Sequence, residues 1–244
     1  MEKSNLKYTG ELKENVKTVL FIAGNAGTPE VYDDIPIPEG WQRANLHHCL
    51  SPGPWDVDSM GKRIALFVEE HNLGPTVLVG YSLGGALSVS AAIHGGSRIA
   101  GLLLSNTGLC TENHGDPNVP DKIRSGKLTL KDVEAMVDAN CIHPIPEKLR
   151  QKMIDYTVNT PLEMAYEGAL SLRQTDLREA AKAIKCPVTI AHGKLDKRRS
   201  EYHVQQMKES MPQANVVMLE GSHSIMLDDP EGFTAALTDL LNQI

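Results

Sequence analysis

A chain of 244 residues with 41% hydrophobic and 23% charged residues suits one domain with a large core and room for an inserted subdomain. Its formal net charge of −7 favours solubility and argues against a nucleic-acid-binding surface. No apolar stretch approaches the ~18 residues that cross a bilayer. Met1-Glu2-Lys3-Ser4-Asn5-Leu6-Lys7 also lacks the apolar run of a secretion signal, so the expectation is a cytoplasmic protein with no membrane partner.

In chain order, Leu6 to Leu12 reads as an early strand with its turn at Glu14-Asn15, and Lys17 to Ala23 as a strand buried on both faces. Thr28 and Pro29 then open a short helix, as N-cap and first helical residue. Trp41 to His47 is the next strand, and Asp56 to His71 an amphipathic helix burying Met60, Ile64, Leu66, Phe67 and Val68. Thr76 to Val79 is a β-branched central strand, followed by Gly80-Tyr81-Ser82-Leu83-Gly84-Gly85 and a helix of small and apolar residues from Ala86 to Ala92. Ile99 to Leu104 is a further strand, ending at Ser105-Asn106-Thr107-Gly108.

The rhythm then changes. Residues 109–127 read as irregular, and three helices follow: Leu130–Ala139, Glu147–Tyr156 and Leu162–Arg173. The last carries an S/T-x-x-E capping box in Thr160-Pro161-Leu162-Glu163. Helices without intervening strands predict a lid over 109–174, set into a core made of 1–108 and 175–244. In the second part of the core come a helix at Asp176–Ile184, a strand at Cys186–Ala191 and a helix at Ser200–Met211. A strand at Asn215–Leu219 and a helix at Pro230–Leu241, capped by Asp229, complete the chain. The predicted fold class is α/β: a mostly parallel central sheet flanked by helices, carrying an inserted helical lid.

Gly80-x-Ser82-x-Gly84 between a strand and a helix is the setting of a nucleophile elbow, a sharp turn that lifts a serine hydroxyl clear of the sheet. Side chains at Gly80 and Gly84 would collide with the neighbouring strand or helix. A serine needs a base, and the base needs a carboxylate to hold its tautomer. In open α/β sheets such groups stand at the carboxyl ends of strands. His223, in Gly221-Ser222-His223, follows the last strand, and Asp196, in Gly193-Lys194-Leu195-Asp196, follows the strand before it. His192 also follows a strand but precedes the acid loop, and reads as a hydrogen-bonded strand-end histidine. Asp228 and Asp229 rival Asp196 by proximity to His223, but a helix start accounts for both. The bland reading of Asp196 is a solvated pair with Lys197, Arg198 or Arg199. The oxyanion donors would be the N–H of Leu83 and that of Asn25 or Ala26 in the turn after the Lys17–Ala23 strand. Tyr81 reads as space-filling.

No metal or organic cofactor is called for. Cys49, Cys110, Cys141 and Cys186 have no C-x-x-C spacing, so reduced thiols are expected. His47-His48-Cys49 is discounted as a metal site, because residues along a strand alternate faces and at most two could share an ion.

With elbow Ser82, acid Asp196 and His223 in that order, the chain resembles the α/β-hydrolase superfamily over nearly its whole length. Within it the chain is similar to small capped hydrolases that include bacterial 3-oxoadipate enol-lactonases and carboxylesterases. Ser105-Asn106-Thr107 and Thr175-Asp176-Leu177-Arg178 are similar to stretches of those lactonases. Many relatives carry His-Gly at the oxyanion turn, where this chain has Ala23-Gly24. The resemblance implies hydrolysis of a small-molecule carboxylic ester or lactone through an acyl-enzyme. The alternatives are acyl transfer or C–C bond hydrolysis by the same triad, or a ligand sensor with negligible turnover.

Overall fold

The computed structural model describes residues 3–112, 114 and 116–244. Its centre is a seven-stranded sheet of β1 (Tyr8–Thr9), β2 (Lys17–Ile22), β3 (Trp41–Leu46), β4 (Thr76–Tyr81), β5 (Ile99–Ser105), β6 (Val188–Gly193) and β7 (Asn215–Leu219). The spatial order is β1-β3-β2-β4-β5-β6-β7, with β1 antiparallel to β3 and every other pairing parallel. From β2 the chain steps outward to β3, then crosses to β4 on the other side of β2. This reversal opens a crevice at the carboxyl ends of β2 and β4, where ligands of such sheets bind.

The uniformly apolar strands are explained by burial on both faces. Leu20, Ile22, Leu78, Leu102 and Ile190 face one core with Met60, Ile64 and Phe67 of α1 (Val57–Glu70). Val19, Phe21, Val77, Val79 and Leu103 face the other, beneath α10 (Pro230–Leu241). Helix α1 starts where expected, because Asp56 accepts from the Ser59 N–H at 2.9 Å. Its Leu66 is only half-buried, at the edge of the expected face. Helix α2 (Leu83–Gly95) follows β4 with its first ten residues buried, so it shows no polar stripe.

Between β5 and β6 lie α3 (Val119–Arg124), α4 (Leu130–Asp138), α5 (Glu147–Asn159), α6 (Leu162–Gln174) and the short α7 (Arg178–Ala181). Helix α3 falls within the stretch expected to be irregular. The capping box expected at α6 is not formed: Pro161 takes the cap position, and the Thr160 hydroxyl turns back to donate to the Tyr156 carbonyl at 2.9 Å. A capping box is present at α4 instead, between Thr129 and Asp132. After β6 comes α8 (Glu201–Ser210), and after β7 the one-turn α9 (Ile225–Asp228), which runs directly into α10. The first strand is two residues long, not seven, and pairs only at the sheet edge. Among the described residues no helix is long and apolar enough to cross a membrane.

Candidate active site

Strand β4 ends at Tyr81, and Ser82 sits at the turn with φ 53° and ψ −118°, a conformation that costs an L-residue about 1–3 kcal/mol. Three contacts hold it there. The Ser82 N–H donates to the Ser105 carbonyl at 3.0 Å, and the Ser82 carbonyl accepts from the Gly85 N–H at 3.1 Å and the Thr107 hydroxyl at 2.6 Å. The elbow glycines are required by space. A Cβ on Gly80 would stand 2.4 Å from the Gly84 carbonyl oxygen, and one on Gly84 would stand 2.2 Å from that of Ile22.

The loops after β6 and β7 bring Asp196 and His223 to the same rim. His223 Nε2 lies 3.2 Å from Ser82 Oγ, and His223 Nδ1 lies 2.8 Å from Asp196 Oδ2. Ser82, Asp196 and His223 therefore form one hydrogen-bonded chain, although 141 residues separate the serine from the histidine. Burial would raise the Asp196 pKa. Its hydrogen bonds from His223 and Asn106, with the charge of His223, outweigh that and hold the carboxyl well below the usual range. An ionised Asp196 can only accept, so Nδ1 carries the imidazole proton and Nε2 is left to accept from the serine hydroxyl. Burial pushes the His223 pKa below its ordinary value, against the hydrogen bond and charge of Asp196, which act to raise it. The imidazole is thus neutral near pH 7.

The solvated-pair reading of Asp196 is not what is found. Its side chain is 0% exposed, and it meets Arg198 and Arg199 through their backbone: Oδ1 accepts their N–H groups at 2.7 and 3.1 Å. Asp229 caps α10 through the Gly232 N–H at 2.9 Å, as expected. Asp228 does something else. Its Oδ2 accepts the Ser222 N–H at 2.8 Å, and its Oδ1 accepts those of Ile142 and His143 at 3.0 and 3.3 Å, joining the histidine loop to the segment after α4. His192 is a buried strand-end histidine whose Nδ1 has no hydrogen-bond partner among the described residues.

Asn106 was not singled out for a role from the sequence. Its Nδ2 donates to Asp196 Oδ2 at 2.8 Å and to the Ser222 carbonyl at 3.1 Å, tying acid loop to histidine loop. The signal was available: Asn106 directly follows β5, and at φ 46° it occupies a left-handed position that asparagine tolerates. Tyr81 is also more than filler. Its hydroxyl lies 3.1 Å from Ser224 Oγ, and its ring centroid lies 5.1 Å from that of His223.

On the other side of Ser82, the Leu83 N–H opens α2, in the turn where helical amides lack an internal acceptor. In the turn after β2, Ala26 has φ 53°, the Gly27 N–H donates to the Gly24 carbonyl at 3.1 Å, and the buried Cys49 thiol donates to the same carbonyl at 3.7 Å. The Asn25 side chain donates to the Ala165 carbonyl at 2.9 Å, and the Ala26 carbonyl accepts the Thr157 hydroxyl at 3.0 Å. His47-His48-Cys49 lies past the end of β3 in a tight turn, not on a strand, and His48 Nε2 is 3.3 Å from Cys49 Sγ. Among the described residues no group of three or more His, Cys, Asp or Glu is arranged to hold a metal ion.

Ser82, Leu83, Asn25, Ala26 and His223 share one cavity of about 770 Å³. Much of its wall is apolar and comes from the helices between β5 and β6, including Val133, Val137 and Met153.

A mostly parallel sheet with a serine at the turn after β4, an aspartate in the loop after β6 and a histidine in the loop after β7 defines a class. The chain belongs to the alpha/beta hydrolase family, whose family model matches residues 19–236. It is 24% identical over 209 residues to the AB hydrolase superfamily protein YisY of Bacillus subtilis, covering 79% of this chain and 77% of that one. Its fold is similar to that of an esterase from Exiguobacterium antarcticum, with a TM-score of 0.83 at 20% identity over 97% of this chain and 96% of the other. It is also similar to the enol-lactonase from Burkholderia xenovorans LB400, with a TM-score of 0.81 at 19% identity and the same coverage of 97% and 96%.

Proposed function

We propose that the protein is a serine hydrolase that cleaves a carboxylic ester or lactone. The observation that carries this reading is the unbroken chain from Ser82 Oγ through His223 to Asp196, at 3.2 and 2.8 Å, with Ser82 and His223 lining a largely apolar cavity. Ser82 attacks the carbonyl carbon while His223 Nε2 takes its proton, and Asp196 steadies the imidazolium. The charge that develops on the carbonyl oxygen is met by the N–H group of Leu83 and that of Asn25 or Ala26. Such preorganised donors are worth about 3–4 kcal/mol each. His223 then returns its proton to the leaving oxygen, and the same imidazole activates the water that releases the acyl group from Ser82.

Residues 109–174 act in this reading as a lid that keeps the cavity dry. The enol-lactonase and esterase among the similar structures support the choice of an acyl carbonyl as target. Incubation with a fluorophosphonate probe, followed by peptide mapping, tests the assignment. Labelling of Ser82 that disappears in His223→Ala is expected, and labelling of any other residue, or of none, overturns it.

A further inference from the structure

The cavity beside Ser82 carries charge as well as apolar wall. Three cationic side chains line it: Arg173 on α6, and Lys197 and Arg198 in the loop that also holds Asp196. Among the described residues none of the three is paired with a carboxylate. Arg173 gives its two Nη groups to the carbonyls of Ala169 and Asp116 at 3.0 and 2.9 Å, and among the described residues its buried Nε has no partner. Asp116 is the one acid among the described cavity-lining residues, and its carboxylate is taken by Lys122 Nζ at 2.6 Å and the Asn118 N–H at 2.8 Å. Asp196 belongs to the same loop as two of the cations, but its side chain is wholly buried and turned to His223. His114 donates from Nδ1 to the Arg198 carbonyl at 2.6 Å, and burial lowers its pKa to about 3, so it adds no charge near neutrality.

A chain with a net charge of −7 thus presents, at the cavity that holds Ser82, three cations with no carboxylate paired to them among the described residues. Solvated lysines and arginines are ordinary on a convex surface. Around a cavity with low-dielectric walls they focus a positive potential on whatever enters.

We propose that the substrate is an ester or lactone that carries its own anionic group, held by Arg173, Lys197 and Arg198 while its apolar part lies against Val133, Val137 and Met153. This rests on the reading of Ser82 as the nucleophile. It adds a prediction that the nucleophile alone does not make: neutral esters are the poorer substrates.

The test uses two matched ester pairs. In one the charge is on the acyl end (4-nitrophenyl hemiglutarate against 4-nitrophenyl valerate). In the other it is on the alcohol end (4-carboxyphenyl butyrate against 4-carbamoylphenyl butyrate). For the intact enzyme, kcat/KM should favour the anionic member of at least one pair, and the pair that responds identifies which end carries the charge. In Lys197→Gln/Arg198→Gln that preference should fall by about tenfold, and in the intact enzyme it should shrink as salt is raised from 0.05 to 0.5 M (order-of-magnitude conditions). Preference for the neutral member of both pairs, or a preference unmoved by the double substitution, overturns the proposal. Calorimetric binding of the same esters to Ser82→Ala separates the two readings. Failure of the intact enzyme to cleave any ester removes the nucleophile. Equal affinity for both members of each pair removes the anion site, whether or not turnover occurs.

Discussion

The two sides of Ser82 are held in different ways. On the histidine side the fastenings come from the sheet: Asp196 accepts from His223, Asn106, Arg198 and Arg199, all at strand-end loops of the core. On the oxyanion side the turn after β2 is fastened to the inserted helices, through Asn25 to Ala165 of α6 and through Thr157 of α5 to Ala26. In the proposed mechanism proton transfer is therefore set by a buried scaffold of the core, while oxyanion geometry depends on how α5 and α6 are seated. Loss of a core fastening should damage the chemistry itself. Loss of an oxyanion-side fastening should cost less and register in kcat.

The pivot of the comparison is the hydroxyl common to both sides. Ser82→Ala should lower turnover of an activated ester by about 10⁴-fold or more with circular dichroism and melting unchanged, since it removes the nucleophile without altering packing. On the histidine side, Asp196→Asn should cost about 10³–10⁴-fold, because the amide can hold the wrong tautomer of His223. It should also move the pH profile. His223 must be neutral to accept the serine proton, so kcat/KM should rise with pH through a pKa below 6.5 and be level by neutrality. The carboxylate acts to raise that pKa, so its removal should shift the acid limb to still lower pH. A limb that moves upward in Asp196→Asn would show that the carboxylate does not face the imidazole.

Asn106 tests whether the core fastening matters beyond the three groups that form the chain. Asn106→Gly keeps a residue at ease with φ 46° and removes both side-chain bonds, to Asp196 and to the Ser222 carbonyl. Activity should fall about tenfold, the effect of a positioning bond worth 1–2 kcal/mol. The readout that distinguishes positioning from general stability is the acid limb of kcat/KM, which should shift when Asp196 loses this donor. A lower melting temperature with an unmoved limb would reduce Asn106 to a structural strut.

The same division governs what could be read from the sequence. The core was legible because strands buried on both faces must be apolar throughout, and Val19–Ile22, Thr76–Val79 and Leu102–Leu104 carry that mark without ambiguity. Ser82 followed from the Gly80-x-Ser82-x-Gly84 turn between a strand and a helix, and Asp196 and His223 from position at a strand's carboxyl end. Asn106 meets the same criterion and was missed because an amide carries no charge or nucleophile to draw notice. The inserted helices were visible as amphipathic runs, but their fastenings were not. Thr160 has a neighbourhood equally good for capping α6 or for bonding back to Tyr156, and in the structure it closes the end of α5 while Pro161 takes the cap of α6. Likewise, nothing local to Asp228 says that it accepts from Ile142 and His143, which lie 86 and 85 residues away. Long-range polar pairings depend on docking geometry, which hydrophobic periodicity does not encode.

The smallest effect is expected on the oxyanion side. Thr157→Val keeps the volume and β-branching of the side chain and removes its donor to the Ala26 carbonyl. The hydroxyl has one proton and two acceptors within reach, Ala26 O at 3.0 Å and Met153 O at 2.9 Å, so the tether is shared with the usual back-bond within α5. The loss should sit at the low end for a hydrogen bond, about 0.5–1 kcal/mol, or a two- to fivefold drop in kcat. KM should change less, because an oxyanion donor acts mainly once charge has moved onto the carbonyl oxygen. A rise in KM with kcat unchanged would instead place Thr157 in the seating of substrate against the lid, and the oxyanion turn would then keep its shape without help from α5.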